Sequence, residues 1–546
     1  MARGGVVSDL RASPHLLRMV ASYAVFVLAE YSSWIAITVL AFARGGATEA
    51  GLVALAQLVP AAVMAPVISR VAETRRPVQV RIVGHLVQAG GLVVAAVAAF
   101  AGVPLVAYAG AIVTSMAVVS TRPAQAAMLP ALAETPEQLT SANVGLGWVE
   151  NLGIAGAGLM AGLLLAVADP EVTLGVSAAL FVLAAVAILP IHVPAAGDGP
   201  QPGGAEERDA WSPLRDPTAG LLLGFLTVQW LIVGALDVLF VVLAVDVLGA
   251  GQAWVGYLQA SFGVGALVAS GIASLLVGKR LGVPILLTAL LQALVLAATA
   301  ATHSVLLVAV LLAVVGGNRA VLDVAGRTLL QRAVSPHLLG RTFGVLESLT
   351  MGGRAVGSLL VPALILLGGS RAALVGLAVV LVLGAAIGGR RLFTVDAEAD
   401  VPVVEISLLR SMRLFSVLGP PALEAVARAL ERRDLPPGTP LITEGEIGDF
   451  YYVIGSGEVH VMREGRSLGH RVRGDGVGEV ALLRDVPRTA TVIAATPVTA
   501  YVLDREAFLT AVTGHDMARE AAHVIVEERL RDEDPGAKPH PTDEEP

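Results

Sequence analysis

The sequence predicts a polytopic α-helical membrane protein with twelve transmembrane helices, arranged six plus six, followed by a charged C-terminal domain of strands and helices. Three observations carry this. The 546-residue chain is 55% hydrophobic and only 15% charged, with a mean hydropathy of +0.74, whereas soluble domains carry about 25% charged residues. Apolar stretches of crossing length, about 20 residues each, recur between Leu16 and Leu392. After Val404 the composition turns to charges and turn residues.

Met1 to Arg18 is short and polar, and the apolar stretch opening at Leu16 is too long for a signal-peptide core, so no cleavable signal is expected. The spans fall at roughly 17–43, 47–70, 77–101, 104–131, 138–167, 171–192, 218–248, 252–278, 282–301, 304–331, 338–368 and 371–391. With the N-terminus in the cytoplasm, Arg70, Arg75, Arg76, Lys279, Arg280, Arg332, Arg341, Arg390 and Arg391 lie at inner ends or loops. The outer side keeps little beyond Arg44 and Arg371. That bias predicts an inner (plasma) membrane protein with both termini cytoplasmic.

Pro194 to Pro217 is polar and rich in Gly and Pro, and reads as a cytoplasmic linker. It separates a first six-helix half, residues 1–193, from a second, 218–392. The halves read as a weak repeat: Pro136, Leu139, Leu146, Gly153 and Leu159 recur as Pro336, Leu339, Leu346, Gly353 and Leu359. Parallel halves of six helices suit a transporter, with the substrate path between them.

Ionisable residues inside apolar spans are costly, which makes them functional candidates. They are Glu30, Arg122, Glu150, Asp237, Arg319, Asp323, Arg327, Glu347 and Arg354. Proton coupling needs a carboxylate that alternates between neutral and charged forms, with an arginine close enough to tune it. Glu30 and Asp237, at matching places in the two halves, lead this group, with Arg122, Glu150 and Glu347 beside them. For Asp323, Arg327 and Arg354, fixed pairing near the cytoplasmic end is the expectation. Tyr31, Trp34, Trp148, Trp230 and Tyr257 are candidates for a cavity wall or for the membrane interface.

In the C-terminal domain, residues 405–532, Asp449 to Ile454 and Glu458 to Met462 read as strands about a Gly455-Ser456-Gly457 turn, and Thr489 to Ala495 with Thr499 to Asp504 as another pair. Pro421 to Arg432 and Asp516 to Arg531 read as helices, Phe393 to Val404 as a linker, and residues 533–546 as a disordered acidic tail. Gly478-Glu479-Val480-Ala481-Leu482-Leu483, then Arg488-Thr489-Ala490-Thr491, is the most informative segment. Its glycines allow close backbone approach. Glu479 to Leu483 can form a helical turn with free N–H groups. Arg488 suits a phosphate and Glu479 a hydroxyl.

This segment, with Ile442–Asp449 and Tyr452–Val459, resembles the cyclic nucleotide-binding domain family across 405–532. The resemblance implies a β-roll plus helices, with Glu479 on the ribose 2′-hydroxyl and Arg488 on the cyclic phosphate. Gly478, the amides near Val480 and Ala481, Thr489 and Ala490 would complete the cradle. Val477 stands where the family has Phe. The implied ligand is cAMP, with cGMP also compatible. The last helix would supply the lid over the base, with Arg529 the named candidate. Relatives pair through that helix, and Ala521, Val524, Ile525 and Leu530 suit either a homodimer seam or packing on their own domain.

The six-plus-six helices resemble the major facilitator superfamily, in its drug-exporter-like branch. Ala65-Pro66-Val67-Ile68-Ser69-Arg70 with Arg75-Arg76 is similar to its loop motif, with Ala65 and Ser69 in place of Gly and Asp. Arg122-Pro123-Ala124-Gln125-Ala126 is similar to its Arg-x-x-Gln-Gly motif, with Ala126 for Gly. Gly153 to Gly162 is similar to the exporters' fifth-helix motif, with Ala157 for Pro.

The net charge of −8 gives no hint of a nucleic-acid partner, and Asp532-Glu533-Asp534-Pro535 leaves no room for a DNA-reading helix pair. With no cysteines there is no disulfide or thiolate chemistry. No metal-ligand spacing, nucleophile constellation or Gly-x-x-x-x-Gly-Lys loop is found, so neither an enzyme nor a metal is expected. The expectation is a secondary active transporter that exports a small molecule, with protons as candidate coupling ion, regulated by a cyclic nucleotide. The alternative is a membrane sensor that relays nucleotide binding without transport.

Overall fold

The computed structural model describes residues 13–74, 76–133, 136–191, 212–273, 279–334, 336–398, 403–416, 418, 420–513 and 524. The chain divides at residues 400 and 401 into two compact units.

The first unit is helical: α1 (Pro14–Thr74), α2 (Pro77–Phe100), α3 (Pro104–Val118), α4 (Thr121–Leu132), α5 (Pro136–Val167), α6 (Pro170–Ile188), α7 (Pro217–Val242), α8 (Ala253–Ala273), α9 (Gly282–Ala301), α10 (Val305–Ala333) and α11 (Pro336–Glu398). Proline opens α2, α3, α6 and α7 at the first turn, where its missing N–H costs no hydrogen bond.

Ten helices among the described residues are long and apolar enough to cross a bilayer. Two of them are about twice the length one crossing needs, spanning Pro14–Met64 and Arg341–Ala397. Each is broken by glycine: at Gly45 and Gly46 in α1, and at Gly369, with φ +80°, in α11. These breaks fall where the sequence places turns. The count of twelve depends on reading α1 and α11 as two passes each. The 104–131 span bends at Val119 and Ser120 and continues as α4.

Large side chains sort by face. Phe26, Phe181, Leu239 and Leu374 are fully buried, while Phe100, Leu367 and Ile387 are more than 80% exposed. An apolar outer surface of this kind suits lipid.

The two halves meet through small residues. A Cβ on Gly158 of α5 would sit 2.5 Å from Ala260 N and 2.7 Å from Gly256 O of α8. One on Gly162 would sit 2.6 Å from the Tyr257 ring, and one on Gly263 2.7 Å from Ala155 N. Glycines at this spacing let membrane helices approach to backbone contact. Gly158→Leu is therefore expected to destabilise the protein by about 1–3 kcal/mol or more. Gly175, with nothing within 4 Å of its would-be Cβ, is the control. Thermal unfolding of the two leucine variants in detergent checks this; equal midpoints would refute the seam.

The predicted linker at Phe393 is corrected. Helix α11 runs on to Glu398, and Asp396, 3% exposed, accepts the Leu281 N–H at 2.8 Å. That N–H precedes α9 and has no acceptor within the helix. The predicted linker residues 194–211 and tail 533–546 lie outside the described residues, as does the predicted helix 516–531 apart from Val524.

The second unit holds helices α12 (Val403–Ser411), α13 (Pro420–Ala429), α14 (Glu479–Arg484) and α15 (Arg505–Thr513). Its strands are β1 (Glu431–Leu435), β2 (Pro440–Ile442), β3 (Phe450–Ser456), β4 (Val459–Arg463), β5 (Arg466–Arg471), β6 (Gly476–Val477), β7 (Thr491–Ala494) and β8 (Val498–Asp504). They form two antiparallel sheets, ordered β1-β8-β3-β6 and β2-β7-β4-β5.

The strands expected at 449–462 and 489–504 exist, but β3 does not pair with β4, nor β7 with β8. The chain changes sheets at each turn, and Gly457, with φ +84°, sits at the first. Alternation along β3 and β8 fills two cores. Tyr451, Val453, Tyr501 and Leu503 face the helices, against Phe415 and Phe508. Tyr452, Ile454, Ala500 and Val502 fill the space between the sheets.

Candidate functional site

The second unit carries a pocket lined by all seven residues of the predicted cradle: Gly478, Glu479, Val480, Ala481, Arg488, Thr489 and Ala490. Gly478 has φ +101° and precedes α14, with no side chain capping the helix start. The first N–H groups of α14 therefore have no internal acceptor.

Arg488 is 7% exposed, and its guanidinium donates to Gly478 O at 3.0 Å and to Phe450 O at 2.6 Å. A Cβ on Gly478 would lie 2.5 Å from Arg488 Nη1, and one on Gly448 2.6 Å from its Nε. The side chain is thus threaded between two glycines. Its backbone is clasped by the 443–446 loop: Arg488 N donates to Glu446 O at 2.8 Å, and Gly445 N to Arg488 O at 2.9 Å. This brings the separate sequence pieces into one site. Burial pulls the guanidinium below its ordinary value, while Tyr452, Asp449, Glu479 and Glu446 oppose that. A guanidinium so placed stays cationic and keeps N–H donors free for an oxyanion.

Glu479, 5% exposed, occupies the first turn of α14. Sequence reasoning missed Arg471 and Leu468 of β5 and Val461 of β4, which also line the pocket. Val461 lies on a strand the sequence does predict, whereas the signal for Leu468 and Arg471 was a strand, β5, that charge and glycine disguised. Arg529 lies outside the described residues.

The first unit holds a cavity of about 500 Å³, lined from α1, α2, α3, α4, α5, α7, α10 and α11. It collects Glu30, Arg122, Glu150 and Glu347 from the predicted set, along with Arg319, Asp323, Arg327 and Arg354. Asp237 instead lines a smaller adjoining chamber. That departs from the matched Glu30–Asp237 pair, and the reason is a partner 117 residues away: Arg354 Nε donates to Asp237 Oδ2 at 2.8 Å.

Arg122 pairs with Glu150 at 2.9 Å, and Glu150 also accepts from Tyr23 and Tyr31. Arg327 bridges Asp323 at 3.1 Å and Glu347 at 3.4 Å. Glu30 differs, because its Oε2 is buried without a hydrogen-bond partner. Trp34 and Trp230 line the cavity, with the Arg354 guanidinium 5.1 Å from the Trp34 ring centre. Trp148 is 49% exposed and does not line it.

A family model described as Major Facilitator Superfamily matches residues 19–302, and one described as Cyclic nucleotide-binding domain matches 432–515. The cAMP-dependent protein kinase regulatory subunit of Yarrowia lipolytica is 41% identical over 102 residues, covering 18% of this chain and 27% of that protein. The acetyltransferase Pat of Mycolicibacterium smegmatis is 39% identical over 116 residues, 20% of this chain and 35% of its own length. The chain thus spans about a third or less of these curated relatives. A solved structure described as cAMP-bound PfPKA-R (141-441) is 25% identical, covers 26% of this chain and 51% of its own, and gives a TM-score of 0.24.

Proposed function

Because the chain belongs to the major facilitator superfamily and carries a cyclic nucleotide-binding domain, we propose that it is a secondary active exporter of a small molecule whose activity is set by cytoplasmic cAMP. The observation that carries the regulatory part is the convergence of seven cradle residues on one pocket with Arg488 among them. In this reading Arg488 holds the cyclic phosphate, Glu479 the ribose 2′-hydroxyl, and the first amides of α14 complete the anion site. Gly478, Thr489 and Ala490 form the remaining wall, and Arg529 is the proposed lid.

The transport part rests on the cavity. Among the described residues Glu30 makes none of the ion pairs that Glu150, Asp237 and Glu347 each make, so Glu30 is the proton-exchanging group and Arg122–Glu150 its electrostatic neighbour. α1 and α11 each cross twice, the termini face the cytoplasm, and the halves 1–193 and 218–392 rock about the site.

A nucleotide shifts this equilibrium only through a difference in affinity between access states. Such couplings are worth about 1–3 kcal/mol, or roughly 5- to 150-fold. Proteoliposomes loaded with a pH gradient test the proposal: saturating cAMP is expected to change substrate flux within that range. Flux indifferent to cAMP and cGMP alike would sink the regulatory reading, and no flux of any substrate tested would favour a sensor.

A further inference from the structure

Three of the four arginines lining the larger cavity are neutralised by carboxylates of the protein: Arg122 by Glu150, Arg327 by Asp323 and Glu347, and Arg354 by Asp237. Arg319 is the fourth. Among the described residues no carboxylate pairs with it, and its Nε is buried without a hydrogen-bond partner. Its guanidinium lies 5.7 Å from the centre of the Phe262 ring. Stacking of that kind occupies one face of the guanidinium and leaves the N–H edge, the part that recognises planar oxyanions.

A cation held inside an apolar span with no carboxylate in contact is expensive, and Glu150 acts on Arg319 only at a distance. The cost is explained if a contacting anion arrives with the ligand. The surroundings say what the rest of that ligand is. Arg319 lines both the larger cavity and the smaller chamber, and the two share Trp230 and Tyr31, with Trp34 in the first and Phe262 in the second. A volume of about 500 Å³ suits a molecule of a few rings rather than a two-chain lipid.

We propose that the cavity takes a soluble amphipathic organic anion, its carboxylate, sulfonate or phosphate group held by Arg319 and its aromatic or apolar body set against Trp34 and Trp230. This rests on the reading of the cavity as the transport site and gives that site a substrate class. It also separates two roles: Glu30 carries the proton, and Arg319 the ligand's charge.

The test uses the full-length protein in nanodiscs of zwitterionic lipid, with naphthalene-2-sulfonate, neutral 2-naphthylmethanol and cationic 2-naphthylmethylammonium as probes in equilibrium dialysis. The sulfonate is expected to bind about tenfold more tightly than the neutral probe. Arg319→Gln should remove that advantage and leave the neutral probe unchanged, and Arg319→Lys should keep part of it. No saturable sulfonate binding, or equal affinity in wild type and Arg319→Gln, overturns the proposal.

A second measurement guards against misfolding. The chain has no cysteine, so Asn151→Cys places a single thiol on the cavity wall. Its rate of reaction with an anionic methanethiosulfonate, relative to a cationic one, should fall several-fold when Arg319 becomes Gln. An unchanged ratio counts against the proposal. Neither assay reads flux. Arg319-dependent binding without transport would leave this assignment standing and remove the transporter reading, and transport without such binding would do the reverse.

Discussion

Arg488→Ala is expected to weaken cyclic nucleotide binding by about 30-fold to several thousand-fold, the range given by losing 2–5 kcal/mol from a buried charge pair. The phosphate would lose its cation, and the carbonyls of Gly478 and Phe450 would lose their donor. Those losses separate by substitution. Arg488→Lys keeps the charge but cannot span two acceptors and a phosphate, so it should bind with intermediate affinity. Isothermal titration of cAMP and then cGMP into full-length wild type and both variants provides the measurement, with thermal unfolding as the check on folding. Affinity in Arg488→Ala within threefold of wild type would remove Arg488 from the site. Absence of binding in wild type would leave the β-domain a structural role.

The second large effect is at Glu30. Glu30→Gln keeps the size and hydrogen-bonding capacity of the side chain and removes its ability to release a proton. Net flux driven by a pH gradient should drop to that of empty liposomes. Exchange of labelled for unlabelled substrate, which needs no net proton movement, should persist. Asp237→Asn is the informative contrast. It strips Arg354 of its carboxylate at 2.8 Å, leaves a part-buried cation without its ion pair, and should lower stability as well as flux. If Glu30→Gln retained gradient-driven transport, the proton would have to be carried elsewhere.

These two sites differ in how far the sequence discloses them. The proposed nucleotide cradle is nearly contiguous, from Gly478 to Ala490, and its residues do meet in one pocket. Short-range motifs of this kind are legible because one loop and one helical turn hold all the parts. The helix breaks at Gly45–Gly46 and Gly369 were legible for a similar reason, since hydropathy falls and glycine gathers at the same place.

What the sequence hides is pairing over distance. Nothing local marks Arg354 as the partner of Asp237, or leaves Arg319 without a contacting carboxylate among the described residues. Nothing local says that β3 passes into a different sheet from β4, because the register of β3 is set by β8, nearly fifty residues on. Asp396 misled for the opposite reason. A charged residue after the last span reads as linker, yet it is buried as the acceptor for Leu281 N.

The glycine seam between α5 and α8 bears on how such a protein can change over generations. Ala155, Gly158, Gly162, Gly256, Ala260 and Gly263 meet with less room than one added methyl group requires. A drift to a larger residue at Gly158 or Gly256 therefore meets the backbone of the facing helix, which no side-chain change can move aside. The two halves are held to small residues along this line, as they are where Gly51 meets Ser358 O at 2.6 Å. Variation in this unit is therefore easier at the cavity-facing side chains than along the seam.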